Sequence, residues 1–480
     1  MQFHSYGFLF FFPLVLLGVW VFPRRMKNGL LLAASYLFYA SWGLKYCLVL
    51  LGATALAYLA GLLLERRRWV LPGALVLLFG LLGVFKYTPF VLSNLARLGL
   101  PVNGSFRIAA PLGISFFTFQ AAGYLWDVRR GKYPAERNFL RFALFVSFFP
   151  QLLTGPIGRG DRLLPQYAQC RKPEYEDLRA GFLVMTWGYF QKLVIADRAA
   201  MLVDTVYGDY GAFSGSCLAL ATVVYALQIY CDFAGCSCIA IGGARMLGIR
   251  LGKNFDAPYF SGSISEFWRR WHISLSTWFR DYVYFPLGGS RCGLRRTCVN
   301  IMVVFLISGA WHGASWGFLA WGALHGAYQV IGRLTKDTRA RCREKLGIDG
   351  QSAGYKTLCA AVTFLLVCAA WVLFRADRLH SALAIWKRIA LDFQSTRLLD
   401  ALQAHSLGLD GPDSVVLLLS AGLLYAVDRA QYRGTDPVRW FETRSWPVRE
   451  LLLAGLILLT FFLGIWGNGF HGSGFIYAQF

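Results

Sequence analysis

Residues 301–326 read IMVVFLISGAWHGASWGFLAWGALHG. The stretch is apolar enough to lie in a lipid bilayer, yet His312 and His325 sit inside it, each followed by glycine. An ionisable group at membrane depth costs roughly 2.5–3.5 kcal/mol on insertion scales. A chain keeps such groups when they are paired or chemically needed. Small residues surround His312: Ala310, Gly313, Ala314 and Ser315, with Trp311 and Trp316 beside them. Small side chains let a second backbone or a ligand come close. The run is expected to form two spans or half-spans, about 298–311 and 313–333.

The rest of the chain has the same character. Of 480 residues 56% are hydrophobic and only 15% charged, with a mean hydropathy of +0.46. Soluble domains carry roughly 25% charged residues. The expected fold is an all-α polytopic integral membrane protein of about 10–12 spans, each needing ~20 residues. Apolar runs recur from end to end, so a single membrane domain over residues 1–480 is expected, with its motif-rich core at about 225–330. Residues 139–157 contain Pro150 and Gly155–Pro156, which imply a broken or re-entrant helix. A long helix is expected over Tyr175–Val206, where Gln191–Lys192 and Asp197–Arg198 could mark an interface or a cytosolic rim. Residues 379–411 are mixed and polar, the pattern of an extramembrane helical excursion.

The net charge, 48 − 26 = +22, would suggest nucleic acid on a soluble protein. Here the basic residues punctuate apolar runs, as at Arg66–Arg67–Arg68 and Arg291–Arg295–Arg296. That is the pattern of cytoplasmic loops, so lipid is the expected surrounding and nucleic acid is not a partner. The surplus also suits an anionic cytosolic donor. The apolar run Phe3–Phe22 is followed by its basic cluster, with no small-residue cleavage site before Arg24. This order puts the N-terminus outside the cytoplasm, without a cleaved leader. The eleven cysteines lie mostly in apolar stretches, and Cys236-x-Cys238 has no second pair at zinc-like spacing. They read as small buried hydrophobes, with neither a structural disulfide nor a metal site expected.

The segment EFWRRWHISLSTWFR, Glu266–Arg280, alternates aromatic and cationic residues. Wound as one helix, it puts His272, Ser276 and Arg280 within about 60° of Arg269, with Phe267, Trp271, Leu275 and Trp278 opposite. One reading is an interfacial anchor with a solvated basic face. The other is the floor of a cavity, where arginines meet an anionic group through their planar forks and His272 points at the reacting centre. His312 likewise has two readings. Burial favours a neutral imidazole, the form in which a general base takes a proton from a hydroxyl; or it is a core histidine bonded to a carbonyl. His325 falls about 220° from His312 on an unbroken helix, so the two need not face one cavity. Asp232, in an apolar segment, pairs with an arginine or orients a histidine, pairing being favoured. Gly288–Gly289–Ser290–Arg291 fits a helix end better than a phosphate cradle.

No serine elbow, P-loop or dinucleotide fingerprint stands out. What remains is base-assisted acyl transfer, in which a hydroxyl attacks an activated acyl group. A thioester donor for that needs no metal and no bound cofactor. The alternative is a transporter or flippase for a lipid-linked saccharide.

Several ordered motifs are shared with a known family: Asp232–Phe–Ala–Gly, Asn254–Phe with Pro258–Tyr259, Ser265–Glu–Phe–Trp–Arg–Arg–Trp–His–Ile–Ser–Leu–Ser, Trp278–Phe–Arg–Asp–Tyr, Pro286–Leu–Gly–Gly, Trp311–His–Gly–Ala–Ser–Trp and Trp321–Gly–Ala–Leu–His–Gly. In these the chain resembles the membrane-bound O-acyltransferase (MBOAT) superfamily, and most its bacterial branch of alginate and peptidoglycan O-acetyltransferase membrane components. The resemblance implies a multi-helix fold around a funnel or tunnel in the bacterial inner membrane. It implies His312 as the catalytic histidine and His272 as the second functional position; Asp232, Trp311 and His325 are expected as supporting residues, His325 being the most structural of the three histidines. Arg269, Arg270, Arg280 and Ser276 become candidates for holding the donor. It further implies an acetyl group passed from a cytosolic donor, acetyl-CoA, to a periplasmic partner of the SGNH-hydrolase type, which then O-acetylates an exopolysaccharide such as alginate or a wall polymer. A related donor, carrier-bound D-alanine, is the alternative within the family. The chain departs from the branch at Cys236 and Cys238, where tyrosine and a second aspartate are usual, and at Ala478, where an aromatic is usual.

Overall fold

A computed structural model describes residues 1–466. The C-terminal motif around Ala478 lies outside the described residues. Among the described residues the chain is helical, without strands. Among the described residues seven helices are long and apolar enough to cross a membrane. Other runs counted toward the expected number are shorter, as at Tyr6–Val21 with 16 residues, broken, as at 139–157, or long but less apolar, as at Trp316–Leu334 with 19 residues. The helices gather into two compact units.

The first unit holds residues 1–188 and 236–253. Its helices are α1 (Tyr6–Val21), α2 (Lys27–Ala40), α3 (Leu44–Leu64), α4 (Val70–Arg97), α5 (Ile114–Arg129), α6 (Phe139–Ser147), the single turn α7 (Phe149–Leu152), α8 (Gly160–Gln169) and α9 (Tyr175–Tyr189). The break expected in 139–157 falls at Phe148, whose ψ of 110° ends α6 and starts α7. Side chains take up the freed backbone groups. Ser35 Oγ accepts from the Phe149 amide at 3.1 Å, and Gln151 Nε2 donates to the Phe145 carbonyl at 2.9 Å. Gln120 shares that carbonyl. A helix break inside an apolar unit survives only with such replacements.

The second unit holds, among the described residues, 189–235 and 254–466. It contains α10 (Asp197–Gly208), α11 (Gly215–Met246, whose last turns belong to the first unit), α12 (Ile264–Arg270), α13 (Ile273–Phe279), α14 (Gly293–His312), α15 (Trp316–Leu334) and α16 (Lys336–Lys345). It continues with α17 (Ala353–Arg375), α18 (Leu379–Leu391), α19 (Ser395–Gln403), α20 (Gly411–Tyr432), α21 (Pro437–Glu442) and α22 (Trp446–Leu463). Two wider π-helical segments interrupt the regular geometry, Phe190–Ala196 before α10 and Arg280–Tyr284 after α13. The helix expected over Tyr175–Val206 is therefore continuous but widened in its middle. Gln191, Lys192, Asp197 and Arg198 are all buried, so they do not form a rim. The excursion at 379–411 folds as α18 and α19.

The two halves of residues 301–326 fall in a helical hairpin, α14 and α15, joined by Gly313–Ser315. Their backbones meet through glycine. A Cβ on Gly322 would strike the carbonyl of Phe305, and one on Gly309 the carbonyl of Phe318. Ser315 Oγ caps α15 by accepting from the Phe318 amide at 3.4 Å. Gly322→Ala is expected to force the hairpin apart at a cost of about 1–3 kcal/mol. A lowered thermal unfolding midpoint of the purified protein checks it.

Candidate active site

The Trp–His pair of the Glu266–Arg280 segment does not lie on one helix. α12 ends at Arg270, Trp271 is extended, and His272 adopts the left-handed region at φ 44°, ψ 53° as the residue that starts α13. The segment Asn254–Asp256 causes the break by taking the backbone groups that an unbroken helix would pair internally. The Asp256 amide donates to the Arg270 carbonyl at 3.0 Å, and the Ile273 amide donates to the Asn254 carbonyl at 2.9 Å. Asn254 Oδ1 also accepts from the Ser274 hydroxyl at 2.6 Å. This corrects the single-helix reading. His272 leaves the arginine face and is buried, its ring 4.6 Å from Phe233 and 6.0 Å from Trp311.

His312 closes α14 and is buried, with its ring 4.8 Å from Trp311, 4.9 Å from Trp321 and 5.4 Å from Phe374. Trp311 thus touches both His272 and His312. His325 shares the same wall: Trp321 lies 4.9 Å from it, and Trp268 Nε1 donates to His325 Nδ1 at 3.2 Å. The turn at Gly313–Ser315 removes the angular offset that an unbroken helix would impose, so both hairpin histidines pack on Trp321. The three histidines therefore sit along one aromatic series, Phe233–His272–Trp311–His312–Trp321–His325–Trp268. Trp371 stacks behind it, 6.2 Å from Trp321 and 5.1 Å from Trp271. A wall of this kind excludes water from the imidazoles.

The arginines line a different space. A pocket of about 550 Å³ opens between α12, α13, the π segment after it, α14 and α15. Arg269, Ser276 and Arg280 line it, together with Arg333, Gln329, Tyr284 and Ser308, but His272 does not. No acidic side chain is among its lining residues, although Arg280 Nε donates to the neighbouring Asp281 at 2.9 Å. Arg270 lies elsewhere. It bridges Asp256 and Glu266, each at 3.0 Å, and stacks 4.6 Å over Tyr432. On α14 the pocket-lining residues are Ile301, Val304, Phe305 and Ser308. At helical spacing His312 is the next position on that face.

Asp232 is paired, with lysine rather than arginine: Lys192 Nζ lies 2.6 Å from Asp232 Oδ1 and 2.8 Å from Asp197 Oδ1. The glycine pair Gly288–Gly289, both at positive φ, ends the π segment's helix, and Asn300 donates to the Gly289 carbonyl at 3.1 Å. The eleven cysteines are free thiols, and among the described residues no cluster of His, Cys, Asp and Glu has metal-site geometry. Sequence reasoning passed over Arg333, Ser308 and Gln329, all of which line the pocket. The spacing Ile301, Val304, Phe305, Ser308, His312 was the signal that could have found Ser308.

The model of "MBOAT, membrane-bound O-acyltransferase family" matches residues 133–345. The "Probable alginate O-acetylase AlgI" of Pseudomonas putida is 35% identical over 100% of this chain and 100% of its own length. The "Peptidoglycan O-acetyltransferase" of Helicobacter pylori is 34% identical over 78% of this chain and 77% of its own. The "Teichoic acid D-alanyltransferase" of Streptococcus thermophilus is 32% identical over 54% of this chain and 64% of its own. The matched residues 133–345 include His272, His312, His325 and all of the arginine pocket's lining residues. This chain belongs to the membrane-bound O-acyltransferase family and is a multi-pass membrane acyltransferase.

Proposed function

We propose that the chain takes an acetyl group from cytosolic acetyl-CoA and delivers it, across the inner membrane, for O-acetylation of an exopolysaccharide or wall polymer. One observation carries the reading. The arginine-lined pocket follows one face of α14, and the next residue on that face is the buried His312. Arg269, Arg280 and Arg333 suit the phosphates of a coenzyme A thioester, since guanidinium binds phosphate through paired donors. His312 is the general base. It takes the proton of an acceptor hydroxyl as the hydroxyl oxygen bonds to the acetyl carbon. The C–S bond then breaks, and the proton passes on to the leaving thiolate. His272, whose ring also neighbours Trp311, assists that departure.

The length of α14 fits a path across the bilayer. Its 20 residues span about 30 Å, the thickness of a bilayer's hydrocarbon core. Arg295 and Arg296 stand in its first turn and His312 is its last residue. With the arginine end cytoplasmic, His312 lies toward the outer face, where a periplasmic partner of the SGNH-hydrolase type collects the acetyl group. The same rule puts the N-terminus in the periplasm. Two of the relatives are named as O-acetylating proteins, of alginate and of peptidoglycan, which supports acetyl as the group moved.

Deletion of the gene tests the reading, with ester-linked acetate on extracellular and wall polysaccharide as the readout. Acetate is expected to fall to background on deletion and to return when the chain is restored. Unchanged acetate on every polymer would contradict the assignment.

A further inference from the structure

The buried charges at Lys192, Asp197 and Asp232 take no part in the chemistry above, yet they are costly to hold. A buried ion cluster is retained only with excellent geometry, and loss of one member leaves the others uncompensated. Here Lys192 bonds two carboxylates, and all three residues are at most 3% exposed. Lys192 lies in the π-helical segment 190–196. Such widened turns occur frequently at functional sites.

What the cluster holds is the turn of α11 from Tyr230 to Phe233. Next to Asp232, Phe233 packs on His272 at 4.6 Å and on Phe255 at 5.0 Å. Two residues before Asp232, Tyr230 packs on Trp271 at 6.0 Å, Phe255 at 5.7 Å and Tyr259 at 5.5 Å. This one turn is therefore the shelf under Trp271 and His272. His272 needs a shelf, because its left-handed backbone is unfavourable for a residue with a Cβ. Strained conformations persist where the surroundings over-determine them. Asn254 grips the residues after His272, and the Phe233 shelf meets the ring itself.

We propose that Lys192 is a positioning residue for His272: by clamping Asp232 and Asp197 it fixes the Tyr230–Phe233 turn that holds the His272 imidazole against Trp311. The proposal rests on the assignment of His272 to the reacting centre. Lys192 touches no substrate, and the arginine pocket is lined by none of the three charged residues.

The test is a double-mutant cycle on the full chain in membranes, with labelled acetyl-CoA as donor and polysaccharide acetate as readout. Lys192→Met is expected to lower turnover about 10- to 100-fold, the cost of a misplaced reacting group, while the KM for acetyl-CoA stays within about twofold. A purely structural role would instead lower the amount of folded protein and leave turnover per folded molecule intact. In the presence of His272→Ala, Lys192→Met is expected to cost nothing further. Losses that multiply would overturn the proposal while leaving His272 in place. Normal turnover in His272→Ala alone would remove the assignment of His272 and this proposal with it. If Lys192→Met does not accumulate, Lys192→Met with Asp232→Asn removes the charge together with its partner, and the same comparison with His272→Ala decides.

Discussion

His312→Ala is expected to reduce polysaccharide acetylation at least about 100-fold while the protein still accumulates in the membrane. A positioned acid–base group contributes typically 10²–10⁴-fold, and the imidazole is the group at the end of the pocket-lining face of α14. Truncation also opens a gap beside Trp311, Trp321 and Phe374. His312→Gln, which fills more of that space, separates the two effects. If chemistry is the cause, both variants lose acetylation alike and His312→Gln unfolds closer to the wild-type temperature. If the gap is the cause, His312→Gln recovers activity. Acetate released by mild alkali from the polymer, normalised to membrane-bound chain, is the measurement.

Arg269→Gln with Arg333→Gln is expected to raise the KM for acetyl-CoA about 100-fold or more, with a much smaller change in kcat. Each arginine facing a phosphate makes a charge-assisted hydrogen bond of about 1.5–3 kcal/mol, or roughly 10- to 150-fold in affinity. Both are solvent-exposed at the pocket, so salt screens them and the lower figures apply. A loss in KM alone marks binding that is equal in ground state and transition state. Arg270→Gln is the informative contrast. Its guanidinium is engaged by Asp256 and Glu266 and lies outside the pocket. That variant is expected to lower stability and leave the KM for acetyl-CoA near the wild-type value.

Parts of this were legible in the sequence because they are local. The glycines around His312 and His325 give away a close helical hairpin, since only small residues allow backbones to meet. Pro150 with Gly155–Pro156 gives away the broken helix near Phe148, and Gly288–Gly289 a helix end. Arg269, Ser276 and Arg280 meet in one pocket even though the helix proposed for them is broken. That break was not legible. It depends on Asn254 and Asp256, which supply hydrogen bonds from outside the segment's own periodicity. Local pattern describes one element and carries no record of which distant backbone will compete for its hydrogen bonds. The same holds for Asp232. Its isolation in an apolar run signals a partner, but nothing local selects Lys192, 40 residues away. The placement of His325 against Trp268 follows from the tertiary fold, across 57 residues.

The central claim is that the thioester is consumed at the arginine pocket and that His312 is required for it. The direct measurement is release of the coenzyme A thiol from labelled acetyl-CoA by the purified full-length chain in lipid nanodiscs, supplied with polysaccharide-containing membrane extract. The wild-type chain is expected to release thiol and to move the label onto alkali-labile ester, and His312→Ala to do neither. Equal release by the two proteins, or a thioester left intact by both while the label-free acceptor still becomes acetylated in cells, would contradict the account.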